Sequence, residues 1–204
     1  AVVMNIERIS DSAHPGLPGV KEDLERAMKA GDRLANLIAA VKKQLRPDSE
    51  TLFFSINRTI EEVLQLFAHA SLSRGVALEF KATDDISIFG SPGKLHQALT
   101  NLVSNALDSF NGSNETDKTV TLSVTGHNFG TDIRVSDNGA GIAPEILPKI
   151  FDPFFSTKPS SRGMGLGLST VRTIIERDFG GAIAVESKPG LETAFTITLP
   201  LQHS

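Results

Sequence analysis

Three glycines at alternate positions, Gly163, Gly165 and Gly167, lie immediately before a segment with helical character. Glycine weakens strands and helices by about 0.5–1 kcal/mol relative to alanine, so the cluster needs a reason. Glycines let backbone N–H groups approach an anion, and a helix N-terminus favours negative charge. The stretch therefore indicates either a phosphate-binding turn or a flexible loop with a helix start. It matches neither GxGxxG, because residue 168 is Leu168, nor GxxxxGK[ST], because the lysine is absent.

Amide and acid side chains form a polar stripe on a helix predicted over residues 92–110. The stripe is Gln97, Asn101, Asn105 and Asp108, at positions i, i+4, i+8 and i+11 beside an apolar face. Amides are unusual on an exposed stripe, where Lys and Glu are better helix formers. Two interpretations are open. The asparagines are hydrogen-bonded to loops, or an amide oxygen ligates Mg²⁺ without repelling a polyphosphate.

The stretch DNGAGI, residues 137–142, follows a predicted strand. Asn-Gly is a strong hairpin signal, but the following IAPEILPKIF does not have the pattern of a second strand. An EF-hand loop is a poor match, because apolar residues stand where oxygen ligands are needed. The alternative is a pocket wall. Gly139 and Gly141 would permit close approach to a flat ligand, and Asp137 would accept a hydrogen bond from an exocyclic amine.

Three phenylalanines fall within FDPFFSTK, residues 151–158. We interpret them as a small local core that fixes one end of a loop. The loop continues as SSRGMGLGLS and brings two cations, Lys158 and Arg162, near the glycines. This arrangement is typical of a lid that covers a phosphate.

The elements that position these stretches follow from hydrophobic periodicity and turn signals. Ser55 is the predicted cap of a helix that closes near Gly75. Further helices are predicted over 92–110 and 167–179, and strands over 52–54, 76–80, 86–89, 119–126, 131–137, 182–187 and 193–200. Strand hairpins with three interposed helices predict an α+β fold, a two-layer α/β sandwich whose sheet is covered on one face by helices.

A heptad-like seam runs along a helix predicted over residues 20–45, after a proline- and glycine-rich turn at 11–19. Its residues are alternately three and four apart: Leu24, Ala27, Gly31, Leu34, Ile38, Val41 and Leu45. Two interpretations are open here as well. The helix packs within the domain, or it forms a helical hairpin that pairs with a second copy of the chain.

The composition excludes several classes of protein. The 204 residues carry a net charge of −4, which argues against a dedicated nucleic-acid binder. There is no cysteine, and hence no disulfide framework or thiolate metal site. No apolar run approaches the roughly 20 residues needed to cross a membrane. The opening AVVMNIERI reads like the middle of a helix, so we expect a fragment of a longer protein.

Four stretches, taken in their order along the chain, are together a specific signal of one protein family. NLVSNALD, DNGAGI, FDPFFSTK and GMGLGLS resemble the N box, first glycine box, F box and second glycine box of two-component sensor histidine kinases. These kinases belong to the ATPase superfamily that also includes DNA gyrase, Hsp90 and MutL. FDPFFSTK with NALDSF is most similar to the nitrogen-regulator-like branch. The resemblance implies a Bergerat-type ATP-binding domain over residues 50–202, preceded at 1–46 by part of the dimerisation and phosphotransfer hairpin.

The resemblance also implies a role for each matched residue. Asn105 would ligate an Mg²⁺ ion that bridges the phosphates of ATP, and Asp137 would receive the adenine amino group, with Thr193 nearby. The glycines of the lid would hold the phosphates through their amides. The other implied nucleotide contacts are Asn101, Gly139, Gly141, Ile142, Lys158, Arg162, Gly163, Met164, Gly165, Leu166, Gly167 and Leu168.

Some positions carry further information about the reaction. Asn101 stands where gyrase-like ATPases have a glutamate that activates water. An amide cannot take a proton at neutral pH, which favours phosphoryl transfer to a protein over hydrolysis. Many members have a basic residue in place of Asp108 and a threonine in place of Met164. Since Asp108 cannot contact phosphate favourably, that role would pass to Lys158 or Arg162.

The implied function is transfer of the ATP γ-phosphate to a histidine, and from there to an aspartate of a response-regulator receiver domain. None of the five histidines precedes an acidic residue, so we expect the acceptor upstream of Ala1. We also expect a homodimer through residues 1–46, a cytoplasmic location, no nucleic-acid partner, and membrane attachment only through parts outside this chain. The alternatives are a non-catalytic, dimerising nucleotide sensor and a gyrase-type ATP-hydrolysing clamp.

Overall fold

The computed structural model describes residues 31, 50–112, 116–158 and 164–201. The chain divides into two compact units, residues 1–47 and 48–204. All elements named below belong to the second unit. The predicted hairpin at 1–46 and the predicted lid residues Arg162 and Gly163 lie outside the described residues, so they stay predictions.

In the second unit, strands and helices occur where the sequence predicts them, with ends shifted by no more than two residues except in the last helix. The predicted last helix is α-helical over Gly167–Thr173 and continues as a π-helical segment, Ile174–Asp178. A 3₁₀ turn spans Leu147–Lys149. Within the described ranges, no helix combines the length and the apolar character needed to cross a bilayer. The order is β1 (Leu52–Ser55), α1 (Ile56–Arg74), β2 (Val76–Ala82), β3 (Ser87–Gly90), α2 (Pro92–Asp108), β4 (Lys118–His127), β5 (Gly130–Asp137), α3 (Gly167–Thr173), β6 (Ala182–Lys188) and β7 (Glu192–Pro200).

Capping residues explain where the two long helices begin and end. The side chain of Ser55 caps α1, and Gly75 closes it with a φ of 65°, a conformation that favours glycine. The hydroxyl of Ser91 accepts a hydrogen bond from the Lys94 amide at 3.2 Å, and Pro92 occupies the first helical position. These caps fix the register of α2, and with it the direction of the polar stripe.

Five strands form a mixed sheet in the order β2-β4-β5-β7-β6. Strand β2 runs parallel to β4, and the other neighbours are antiparallel. Strands β1 and β3 do not join this sheet. They form a separate antiparallel pair, next to which the Ile56 amide donates to the Ile86 carbonyl at 2.9 Å.

The inner face of the sheet is apolar except at one end. Strand alternation buries Val120, Leu122 and Val124 of β4 against the helices. Their cross-strand partners continue two apolar rows, Leu122–Val135–Phe195–Val185 and Val124–Ile133–Ile197–Ile183. The next row toward the glycine-rich segment is Val120–Asp137–Thr193–Ser187. The buried face therefore ends in three polar side chains.

Candidate functional site

A cleft of about 500 Å³ opens beside this polar row, between α2, the segment that follows β5, and the start of α3. Most of the predicted nucleotide contacts line it. They are Asn105, Asp137, Gly141, Ile142, Lys158, Met164, Gly165, Leu166, Gly167, Leu168 and Thr193. Asn101 and Gly139 do not line it, but each forms a hydrogen bond with a residue that does.

Asp137 is the most enclosed acid of the cleft, with 7% of its surface exposed. Its Oδ1 atom accepts two hydrogen bonds, from the Ser109 hydroxyl at 2.8 Å and from the Gly139 amide at 3.1 Å. Any side chain at position 139 would overlap Ser109, so this position requires glycine. Gly139 therefore acts behind the cleft, where it fixes the carboxylate.

The enclosure of Asp137 changes the pKa of its carboxyl group. Burial raises the pKa of the Asp137 carboxyl above its ordinary value, because the charged form loses its hydration. The hydrogen bonds from Ser109 and Gly139 favour the charged form and offset part of that rise. A buried acceptor of this kind suits a ligand that brings an N–H donor into the cleft.

Strands β6 and β7 position the opposite part of the wall. Thr193 is the cross-strand partner of Asp137, and its hydroxyl lies 2.9 Å from that of Ser187. Ser187 in turn accepts a hydrogen bond from the Ile142 amide at 2.8 Å. Gly141 has a φ of 68°, and a side chain there would overlap the Lys188 carbonyl. The glycine-rich segment is thus held against the β6–β7 turn.

The two asparagines of α2 both bond to the chain that follows β5. The Asn101 amide donates to the Gly167 carbonyl at 3.3 Å and so ties α2 to the first residue of α3. The Asn105 Oδ1 atom accepts a hydrogen bond from the Lys158 ammonium at 3.0 Å. These contacts do not decide between the two interpretations, because a side chain that bonds to the chain beyond β5 can still ligate a metal when a nucleotide is bound. The contact with Lys158 shows that the Asn105 oxygen is accessible to a cation from the cleft.

Lys158 belongs to a charge cluster at the mouth of the cleft. Its ammonium lies 2.7 Å from Asp108 Oδ2, and Arg74 lies 3.1 Å from the other oxygen of that carboxylate. Burial alone would raise the pKa of Asp108, but the hydrogen bonds and charges of Lys158 and Arg74 outweigh it and hold that pKa below its ordinary value. Asp108 thus stays ionised and keeps a cation beside Asn105.

The F-box stretch is only partly a local core. Phe151 is buried, packs edge-on against Phe195 with ring centroids 6.2 Å apart, and lies under the Arg172 guanidinium. Phe155 is partly buried against the same core. The prediction was wrong for Phe154, which is 63% exposed and has a φ of 67°. Its backbone reverses direction here.

The glycines before α3 differ in what requires them. Gly165 has a φ of 68°, its carbonyl accepts from the Phe154 amide at 2.9 Å, and a side chain there would overlap the Phe154 backbone. At Gly167 the nearest atoms to an added Cβ are those of Asn101, at 3.9 Å, an ordinary contact. Packing alone does not require glycine at 167. That position lines the cleft, and no side chain caps the first turn of α3.

Sequence patterns missed several residues of the cleft. Ser109 is the most important, and it continues the i+4 series Gln97, Asn101 and Asn105, a signal that could have found it. The missed apolar lining consists of Ala106, Ala140, Ile146, Ile150, Phe155 and Phe195. Apart from Phe155, which belongs to the F-box stretch, no local pattern marks these as lining residues, because they converge only in the folded chain.

The pattern of the family described as "Histidine kinase-, DNA gyrase B-, and HSP90-like ATPase" matches residues 90–203. The chain belongs to this family. The match begins before α2 and ends after β7, so it contains every wall of the cleft described above. The cleft therefore lies wholly within a histidine kinase-type ATPase domain, as the four motifs imply.

The chain is also similar to named bacterial sensor proteins. The chain is 37% identical over 189 residues to the sensor histidine kinase ZraS of Salmonella typhimurium, covering 90% of this chain and 39% of ZraS. It is 30% identical over 194 residues to the sensor protein FixL of Bradyrhizobium diazoefficiens, covering 94% of this chain and 38% of FixL. The chain thus spans about two fifths of the length of these curated relatives.

Solved structures of family members share the fold. The catalytic domain of histidine kinase ThkA aligns with a TM-score of 0.65 and 29% identity, covering 74% of this chain and 95% of that one. ThkA in complex with the response regulator protein TrrA aligns with a TM-score of 0.64 and 25% identity, covering 98% of this chain and 58% of that one.

The buried carboxylate generates a prediction about stability. Because the pKa of Asp137 is raised in the folded chain, its charge destabilises the fold above that pKa, and the penalty is relieved as the pH falls through it. We expect Asp137→Asn to unfold at the same or a higher temperature than the parent at pH 8. The difference in unfolding temperature between the variant and the parent should shrink as the pH falls. Thermal denaturation at a series of pH values measures it.

Asp152→Asn serves as the control, because Asp152 is an exposed acid of the same domain and should show no such trend. A lower unfolding temperature for Asp137→Asn at pH 8 would mean that the ionised carboxylate stabilises the fold through its hydrogen bonds.

Proposed function

We propose that this chain binds ATP with Mg²⁺ and transfers the γ-phosphate to a histidine, from which it passes to an aspartate of a response-regulator receiver domain. The observation that carries the proposal is the placement of two groups in one cleft. Asp137 provides a fixed acceptor for the adenine amino group, and Asn105 provides an amide oxygen open to a cation. Gly165 and Gly167 lie in the same wall, beside the start of α3.

The residues present fit an Mg²⁺ ion. A cationic ammonium already lies against Asn105 Oδ1, and amide oxygens are suitable ligands for this metal. Among the described residues, no group of three His, Cys, Asp or Glu side chains could hold a metal. We infer that Asn105 is the protein ligand and that the phosphates supply others. When bound, the ion would neutralise charge on the phosphates.

Among the described residues that line the cleft, Lys158 is the one with a cationic side chain. Its ammonium must leave Asn105 before a metal can take that oxygen, and it then becomes available to a phosphate oxygen. Asp108, held by Arg74 on its other side, would not contact phosphate itself. We propose that Arg162 and the amide of Gly163 also contact the phosphates as parts of the lid, as the resemblance implies.

The acids of the cleft favour transfer over hydrolysis. Among its described lining residues, the carboxylates are Asp108, which is paired with two cations, and Asp137, which is buried. Asn101 bonds to Gly167 and cannot act as a base at neutral pH. Activation of water by a free carboxylate, as in a hydrolysing clamp, therefore has no support in this part of the chain.

The metal role predicts a specific loss. We expect the affinity for ATP, measured by calorimetry, to fall at least about tenfold, or about 1.4 kcal/mol, when EDTA replaces Mg²⁺. Asn105→Ala should lower the affinity in Mg²⁺ and remove most of the difference between the two conditions. Gln97→Ala, on the same stripe but outside the cleft, should behave like the parent. Equal affinity of the parent in Mg²⁺ and EDTA would exclude the metal role.

The transfer reaction predicts where label appears. The five histidines, His14, His69, His96, His127 and His203, all lack a following acidic residue that would orient and activate an acceptor. We expect this chain to stay unlabelled with γ-labelled ATP. A longer chain that carries the histidine-bearing helix should gain an acid-labile label and pass it to a receiver domain.

Other outcomes distinguish the alternative functions. In the longer chain, ATP binding without any transfer would indicate a nucleotide sensor. Release of phosphate by the longer chain without labelled protein would indicate a hydrolysing clamp. Label on one of the five histidines would show that the acceptor is misassigned.

The partners and location are also proposals. The ThkA–TrrA complex supports a receiver domain as the partner. We propose a cytoplasmic location, with any membrane attachment made through parts outside this chain.

We also propose that residues 1–46 form a homodimer. An apolar side chain contributes roughly 1.5–3 kcal/mol when buried, so the seam favours a partner. Leu34→Asp with Ile38→Asp should reduce the mass measured by light scattering to that of a monomer. The control variant, Leu66→Asp with Leu72→Asp, changes two exposed leucines of α1. It should leave the measured mass unchanged. A monomeric parent would refute the dimer.

A further inference from the structure

Ser109 connects the end of α2 to the wall of the cleft through both its side chain and its backbone. Its hydroxyl oxygen lies 2.8 Å from Asp137 Oδ1 and 2.8 Å from the Ala106 carbonyl. Its own carbonyl accepts a hydrogen bond from the Ala140 amide at 3.3 Å. A hydroxyl has one proton to donate, and an ionised carboxylate is a stronger acceptor than a neutral carbonyl. The proton therefore goes to Asp137.

The two oxygens of Asp137 are treated differently by the protein. Oδ1 accepts from the Ser109 hydroxyl and the Gly139 amide. Among the described residues, no donor reaches Oδ2. Because Oδ1 is held from two directions, rotation of the carboxylate is restricted and Oδ2 keeps one orientation. A ligand N–H group that enters the cleft meets an acceptor whose position is fixed in advance.

We propose that Ser109 is a positioning residue that orients the Asp137 carboxylate so that Oδ2 accepts the amino group of the base, and that it thereby sets the preference for adenine. The proposal rests on ATP binding as proposed above. A base with a carbonyl oxygen in place of the amino group would bring an acceptor against a fixed, charged acceptor, which is unfavourable. A carboxylate that can rotate would discriminate less.

The experiment compares two ligands that differ in a single group. ATP carries the amino group, and purine riboside 5′-triphosphate lacks it. In Ser109→Ala we expect the calorimetric affinity for ATP to fall about three- to tenfold, the range of one hydrogen bond, while the affinity for the purine analogue stays within about twofold. The loss is partial because Gly139 still holds Oδ1.

Three further variants sharpen the result. Ser109→Cys keeps a similar shape with a weaker donor, so its loss should be smaller than that of alanine. Ser136→Ala removes a half-buried hydroxyl next to Asp137 in β5, which bonds to Thr121 instead, and should change neither affinity. In an Asp137→Asn background, Ser109→Ala should have little additional effect on the preference for ATP.

The outcomes separate this proposal from the proposed function. Equal weakening of both ligands in Ser109→Ala would mean that Ser109 only supports packing, and would overturn the positioning role. A parent that binds neither triphosphate would overturn the proposed function. In that case NMR titration still tests Ser109, because loss of its hydrogen bond should raise the pKa of the Asp137 carboxyl further. An unchanged pKa would overturn the positioning role without reference to any nucleotide.

Discussion

Burial of a single carboxylate is the constraint on which the rest of the site depends. Transfer of a charged group out of water is costly unless donors replace the lost hydration, and the fold supplies two such donors to Asp137. Ser109 comes from the helical layer, whereas Gly139 comes from the extension of β5. Because the donors belong to different layers, the carboxylate is tolerated only when α2 is docked on the sheet. The docking of α2 on the sheet therefore forms both the core of the domain and the pocket.

Much of this arrangement could be predicted because its signals are local. Alternation along β4 and β5 identifies the buried face, and the Ser91–Pro92 pair marks the start of α2. Register then carries Asp137 and Thr193 to neighbouring positions at the end of that face. The order of four short motifs was sufficient to predict the family, and the matched family pattern confirms it. Local chemistry thus predicted which residues approach the cleft.

What could not be predicted depends on contacts between distant parts of the chain. The bond between Ser109 and Asp137 joins residues 28 positions apart, and Lys158 reaches Asp108 across 50 positions. Neither side chain has a local pattern that reveals its partner. The left-handed conformation of Phe154 is likewise imposed by the turn that meets Gly165, against the preference of a bulky residue. Contacts between distant parts of the folded chain, and not local conformational propensity, determine these features.

The hydrogen bond from the Phe154 amide to the Gly165 carbonyl joins two points of the chain that are separated by ten residues. The segment that this bond closes contains Phe155 and Lys158, which line the cleft, so the bond fixes both ends of a segment that contributes to the wall. The entropy of closing such a loop grows slowly, by about 0.6 kcal/mol for each doubling of length. A longer segment between these two closed ends therefore costs the fold little, provided that Phe155 and Lys158 keep their places in the wall.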